Sequence, residues 1–189
     1  MSEDDGPKMR ADARRNRARI LVAAEEVFAT KGASASTEEV ASRAGVAIGT
    51  VFRHFPTKDD LLRAVMKELL RRLMEELQSL NVDGDPATAL FTFFAGMVEQ
   101  AAAKKTVVDL LAQAGVHVDI AEPVQALRRA IGGLLTRAQQ AGAVRQDVQL
   151  NEVMALLTST CQGALSAGWD RRLQHRTTAI VFDGLRSGR

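Results

Sequence analysis

Thr50, Arg53, His54 and Lys58 bring hydrogen-bonding groups and positive charge close together in the chain. At helical spacing they come out together on one side. Such a set suits the phosphates and base edges of DNA. A guanidinium forks onto a phosphate or a guanine, a hydroxyl donates or accepts, and an ammonium acts as a point charge. More positive charge is gathered upstream, where Lys8, Arg10, Arg14, Arg15, Arg17 and Arg19 face the single acid Asp12. A basic arm ahead of the first helix can reach phosphates or a minor groove. Residues 1–9 read instead as a solvated tail. Groups for bond-making chemistry are missing. The chain has no phosphate loop, no dinucleotide glycine pattern, no Gly-x-Ser-x-Gly elbow and no paired His, and it lacks Tyr altogether. These absences argue against an enzyme. Three scattered His and one Cys have no metal-ligand spacing, so neither a metal nor a cofactor is expected.

Two short helices must position this set. Ser36 caps the first, and Glu39 three residues on completes a capping box. Val40, Ala41 and Ala44 recur at helical spacing as its inner face. Gly45 supplies the left-handed backbone that ends a helix, and Val46 follows as a buried turn residue. A second helix over roughly 48–55 turns Val51 and Phe55 inward. Gly49, Thr50 and Arg53 lie opposite, with Phe52 and His54 at the flanks, and Pro56 stops the helix. Helix, glycine turn and a helix with a polar outer face describe a helix-turn-helix, whose second helix enters the DNA major groove.

The stretch resembles the DNA-binding domain of the TetR/AcrR family of bacterial transcriptional regulators. The residues that carry the likeness are Thr37, Val40, Ala41, Ala44-Gly45-Val46, Gly49-Thr50-Val51-Phe52, His54-Phe55, Lys58 and Leu61-Leu62, with Ile20-Leu21, Ala24, Phe28 and Gly32 upstream. The resemblance covers about the first third of the chain. It implies that Thr37 donates to a phosphate and that Ile48, Gly49 and Thr50 approach base edges. Gly49 lets the backbone come close; Thr50 can hydrogen-bond or touch a thymine methyl, and Ile48 can do only the latter. Arg53 is the outward side chain able to read guanine bidentately, and a phosphate contact is an equal alternative. His54 and Lys58 resemble phosphate clamps, Lys58 beside a helix N-terminus that favours the same anion. Two positions depart from the family pattern. Ala47 replaces the usual Ser, removing a helix cap, and Phe52 replaces the usual Tyr, removing a phosphate-donating hydroxyl. Each should weaken binding by roughly 1 kcal/mol.

The rest of the chain reads as all-α, about nine helices in total. It has 189 residues, is 46% hydrophobic and 4% aromatic, and has few Gly or Pro between periodic stretches. The expected division is a disordered tail over 1–10, a helix-turn-helix domain over 11–57, and an effector-binding and dimerisation domain over 58–189. The first helix is predicted over about 11–31. Thr57 caps a long fourth helix, the link between the domains, which reaches about Leu80. Asn81–Pro86 is a turn cluster, and Asp85 and Pro86 open a fifth helix ending at 101–105. A short sixth helix covers roughly 106–114, and Val116–Ile120 reads as a loop. Pro123 starts the seventh, whose interior Gly132-Gly133 pair costs roughly 1 kcal/mol per residue and suggests close packing. The eighth starts near Asn151 and the ninth covers about 171–185, beyond a break at Gly168–Asp170.

Net charge is only +2, so charge alone does not announce a DNA binder. The lone Cys161 suits a reducing cytoplasm, no apolar run approaches the ~20 residues of a membrane helix, and the acidic first residues are no signal peptide. A cytoplasmic protein with no membrane partner is expected. The resemblance further implies a homodimer through the eighth and ninth helices, whose surfaces are apolar and small. Pairing would set two recognition helices about 34–36 Å apart on double-stranded DNA with a pseudo-palindromic operator. It also implies a small-molecule effector pocket, for which Phe94, Met97, His117, Met154, Cys161 and Trp169 are the candidate wall residues. The function this favours is a repressor released from its operator by an effector. The alternatives are an activator or architectural DNA binder without a ligand and, less favoured, a helical enzyme.

Overall fold

Helix ends in this chain fall where short-range capping chemistry puts them. The computed structural model describes residues 5–115 and 121–188. Within them run α1 (Asp5–Lys31), a 3-10 turn (Gly32–Ser34), α2 (Thr37–Ala44), α3 (Ile48–His54), α4 (Lys58–Val82), α5 (Ala89–Gln113), α6 (Ala121–Gln140), α7 (Leu150–Ser166) and α8 (Arg171–Leu185). The Thr57 hydroxyl accepts from the Asp60 N–H at 3.1 Å and donates to its carboxylate at 2.8 Å, which starts α4. The Asp85 carboxylate accepts from the Ala87 N–H and the Thr88 hydroxyl, so Pro86 sits in a turn just before α5 rather than in the helix. Asp170 caps α8 by accepting from the Leu173 N–H at 2.7 Å.

Besides the starts of α5 at Ala89 rather than Pro86 and of α6 at Ala121 rather than Pro123, three boundaries differ from the sequence reading. First, α1 begins at Asp5, so the helix takes in residues 5–10 of the expected tail. Pro7 is tolerated there because first-turn N–H groups have no helical partner. Second, the expected fifth and sixth helices are one, α5. The predicted break at Ala101–Lys105 consists of alanines and lysines, which favour a helix, and Lys105 pairs with Asp109 one turn on. Third, α4 runs on to Val82. The loop expected at Val116–Ile120 lies outside the described residues. Among the described residues no helix is long and apolar enough to cross a membrane.

The chain forms two compact units. One holds the chain up to Leu69 and the end of α5 from Ala103; the other holds Leu70–Ala102 with α6, α7 and α8. In the first, α1 packs on α2 and α3, and Ile20, Phe28, Val40, Val51 and Leu61 are wholly buried. Each such side chain contributes about 1.5–3 kcal/mol when removed from water.

In the second unit Leu77, Leu90, Phe93, Phe94, Ile131, Leu134 and Val153 belong to one hydrophobic cluster. Phe182 of α8 lies against Phe91 at 4.7 Å and edge-on to Phe94 at 5.4 Å between ring centres. The C-terminal end of α4 leaves carbonyls without helical partners. Arg137 of α6 supplies them, donating to the Leu80 and Gly84 carbonyls at 2.7 Å and to that of Asn81 at 2.5 Å. Asn81 in turn donates to the Ala130 carbonyl at 3.1 Å. A Cβ on Gly133 would stand 2.6 Å from the Asn81 side-chain oxygen, so the glycine in α6 answers to close helix approach.

Candidate nucleic-acid interface

The recognition element is built outward from α2. Ser36 Oγ accepts from the Glu39 N–H at 3.2 Å, and Glu39 Oε2 accepts from the Ser36 N–H at 3.0 Å. This is the capping box the sequence predicts. Glu39 also takes the Lys31 ammonium of α1. That hydrogen bond, and then the one from the Ser36 backbone, hold its carboxyl below the usual 4.5. Arg43 pairs with Glu26 of α1 at 2.6 Å, so α2 is tied to α1 at both ends.

Gly45 ends α2 with φ 63° and ψ 42°, and the Val46 N–H closes back onto the Ala41 carbonyl at 3.1 Å. Arg19 Nη2 of α1 donates to the Gly45 carbonyl at 3.2 Å. Ala47, extended at φ −66° and ψ 146°, precedes α3 without a side-chain cap. From there α3 sends Val51 inward, and Phe55 follows it into the core. Arg17 stacks over the Phe55 ring at 5.4 Å, which braces the end of α3 from α1.

The outer face of α3 is then fixed. Ile48, Gly49, Phe52 and Arg53 are exposed, while Thr50, His54, Thr37 and Lys58 are half-buried. A Cβ on Gly49 would meet nothing within 4 Å, so no internal contact demands glycine there. Lys58 is engaged differently from its expected role as a clamp. Its ammonium donates to the Ala35 carbonyl at 2.6 Å and the Ala33 carbonyl at 3.2 Å, and sits 5.9 Å from the Phe28 ring centre. It therefore ties the 32–34 turn to the start of α4. The basic run at 8–19 is not an extended arm but part of α1. Arg15 pairs with Asp12 one turn away, and Arg17 and Arg19 serve the helix-turn-helix itself.

The expected effector residues gather around the core of the second unit. Phe94 is buried within it, and Met97, Met154, Cys161 and Trp169 pack against it. Trp169 lies so close to α7 that a Cβ on Gly163 would come within 2.9 Å of its ring. His117 lies outside the described residues. The sequence reading missed Arg19 and Arg137. Their partners are 26 and 53–57 residues away, and a lone arginine carries no local mark of such a bond.

A glycine-turned helix pair, its second helix short, outward-facing and unencumbered, defines a helix-turn-helix DNA-binding regulator. Residues 20–65 match the family model for bacterial regulatory proteins of the tetR family, and residues 85–187 match that of the transcriptional regulator SbtR-like C-terminal domain. The chain belongs to the TetR family. It is similar to the HTH-type transcriptional repressor Rv3405c of Mycobacterium tuberculosis, 46% identical over 63 residues. That match spans 33% of this chain and 34% of the repressor, so it covers only about a third of that relative's length. Two solved structures are similar over nearly their whole length. The TetR regulatory protein from Mycobacterium vanbaalenii is 39% identical with a TM-score of 0.80, over 95% of this chain and 99% of that one. The TetR regulator SCO0520 from Streptomyces coelicolor is 30% identical with a TM-score of 0.80, over 92% and 99%.

Proposed function

We propose that the protein is a cytoplasmic homodimeric repressor that binds a pseudo-palindromic operator through α3 and releases it when a small molecule binds the second unit. The helix-turn-helix domain over 11–57 is the DNA reader, and 58–189 is the effector and dimerisation domain. The observation that carries the reading is the open space at Gly49. A glycine inside a helix costs about 1 kcal/mol relative to alanine, and nothing within the molecule requires it. On the outward face of α3, close approach of a duplex would account for it.

Thr50 and Arg53 then face base edges, with Ile48 beside them; Thr37 and His54 lie toward the phosphates, and Lys58, with two of its N–H groups on the Ala33 and Ala35 carbonyls, has one left for a phosphate. Dimerisation is supported by Leu156 on α7 and Leu173 and Ile180 on α8, which are 36%, 46% and 71% exposed. Apolar side chains this open on adjacent helices suit a partner helix pair. For the effector, Phe94, Met97, Met154, Cys161 and Trp169 mark where a small apolar molecule would insert. Met and Cys adapt to a guest more readily than branched side chains do. α4, like α5, runs from one unit into the other, and the effector acts by preferring one of two arrangements of α4.

The test is selection of bound duplexes from a random library, followed by a thermal-shift screen of small apolar and cationic compounds on the protein. Enrichment of an inverted repeat, and a compound that stabilises the protein while releasing that repeat, are the expected results. Enrichment without any releasing compound supports a ligand-free activator or architectural protein instead.

A further inference from the structure

We propose that Phe52 joins Ile48, whose thymine contact the family resemblance already implies, in an apolar reading edge on α3 that recognises the C5-methyl groups of thymine in the operator. The proposal rests on the reading that α3 enters the major groove, and it assigns a specificity role to Phe52. Ile48 is 36% exposed and Phe52 44% exposed, although Val51 between them is wholly buried. Four residues apart on one helix, the two side chains are neighbours on the same face. They flank Gly49, whose missing side chain opens that face to a duplex.

Phe52 carries no donor, so it cannot hold a phosphate as a tyrosine in its place would. Among the described residues Phe52 makes no ring or cation contact, whereas Phe55 takes Arg17 and Phe28 takes Lys58. What the major groove offers to an apolar side chain is the thymine methyl group, the one carbon-only feature of its edge code. Two apolar side chains one turn apart suit methyl groups on successive or neighbouring base pairs. Arg53, on the same outer surface, adds a polar contact beside them. The half-site this arrangement favours is therefore thymine-rich at the positions facing Ile48 and Phe52.

The test uses synthetic duplexes, in which thymine is the only source of a C5-methyl group. The purified protein selects a consensus duplex from a random library. That duplex is then remade with deoxyuridine in place of single thymines, a change that deletes one methyl and nothing else. Dissociation constants are measured for wild type, Ile48→Ala, Phe52→Ala and Phe52→Tyr. Wild type should bind about fourfold more weakly for each contacted methyl removed. Ile48→Ala and Phe52→Ala should each become indifferent to the methyl that its side chain covers. Both side chains lie outside the core, and circular dichroism checks that the helices survive. Equal affinity of wild type for the thymine and deoxyuridine duplexes, or undiminished discrimination in both alanine variants, overturns the proposal while leaving DNA binding intact. Failure to enrich any duplex brings down the groove reading and this proposal with it.

Discussion

The guanidinium of Arg19 and the carbonyl of Gly45 meet at 3.2 Å, and this bond spans the turn on which the recognition helix depends. The same guanidinium stands 2.7 Å from where a Cβ at position 45 would lie. Gly45 is thus fixed twice, by its left-handed backbone at φ 63° and by the arginine that caps it. Gly45→Ala should destabilise the protein by about 1–2 kcal/mol through the backbone alone. Displacing Arg19 adds to that loss. Arg19→Ala should cost less, about 1 kcal/mol, because the bond is exposed. Urea denaturation midpoints for the two variants check the order, and an unchanged midpoint in Gly45→Ala would refute it.

Gly49 behaves oppositely. Gly49→Ala should leave stability unchanged or raise it by up to about 1 kcal/mol, since a helical glycine is replaced where there is room. DNA affinity should nonetheless fall, because the new methyl group stands between α3 and the duplex. Thermal denaturation and fluorescence anisotropy on one selected duplex measure both. A stabilised protein with undiminished DNA affinity contradicts the assignment of α3's outer face.

Arg53 and Lys58 should separate in kind. Arg53→Ala should cost about 1–3 kcal/mol of binding and relax sequence preference at one base pair, with stability unchanged. Lys58→Ala removes the link to the Ala33 and Ala35 carbonyls and should lower stability by about 0.5–1.5 kcal/mol. Its effect on DNA should be uniform across sequences. Binding to a panel of single-base variants of the selected duplex distinguishes the two patterns.

Acid sensitivity should trace in part to Glu39. The Lys31 ammonium, and after it the Ser36 N–H, hold its carboxyl below 4.5 in the folded protein. A carboxyl that binds its proton more weakly when folded stabilises the fold above its unfolded value, and that contribution fades as pH falls through the lowered folded value. Wild type should therefore exceed Glu39→Gln in stability at neutral pH, and the gap should close in acid. Paired urea titrations across that range test it; a gap constant with pH would count against the ion pair.

Assembly can be probed at one position. Ile180 is 71% exposed on α8, and Ile180→Glu places a charge where a partner helix would pack. The variant should elute as a monomer in size-exclusion chromatography with light scattering, keep its helical circular dichroism, and bind the inverted repeat far more weakly. A wild type that is already monomeric would remove the basis for this expectation.

The helix-turn-helix was legible because its instructions are local. Ser36 with Glu39, Gly45, and Thr57 with Asp60 each act within a few residues, by hydrogen bonds that the neighbouring backbone makes available. Burial periodicity placed Val51 and Phe55 inward for the same reason, since a helix repeats its face every three to four residues. The continuity of α5 is less legible because the run from Ala101 to Lys105 interrupts the apolar stripe, although alanine and lysine favour extending a helix.

What tertiary structure alone decided was where the charged side chains spend their hydrogen bonds. Lys58 turns to the carbonyls of the preceding turn, Arg19 to Gly45, and Arg137 to the end of α4. These choices depend on which distant backbone groups packing leaves unsatisfied and within reach, and no periodicity in the chain encodes that. The amino-acid order by itself determined the capped helix pair, its glycine turn and the side chains that α3 turns outward, though not the continuity of α5. Packing determined which basic residues stay open around that outward face.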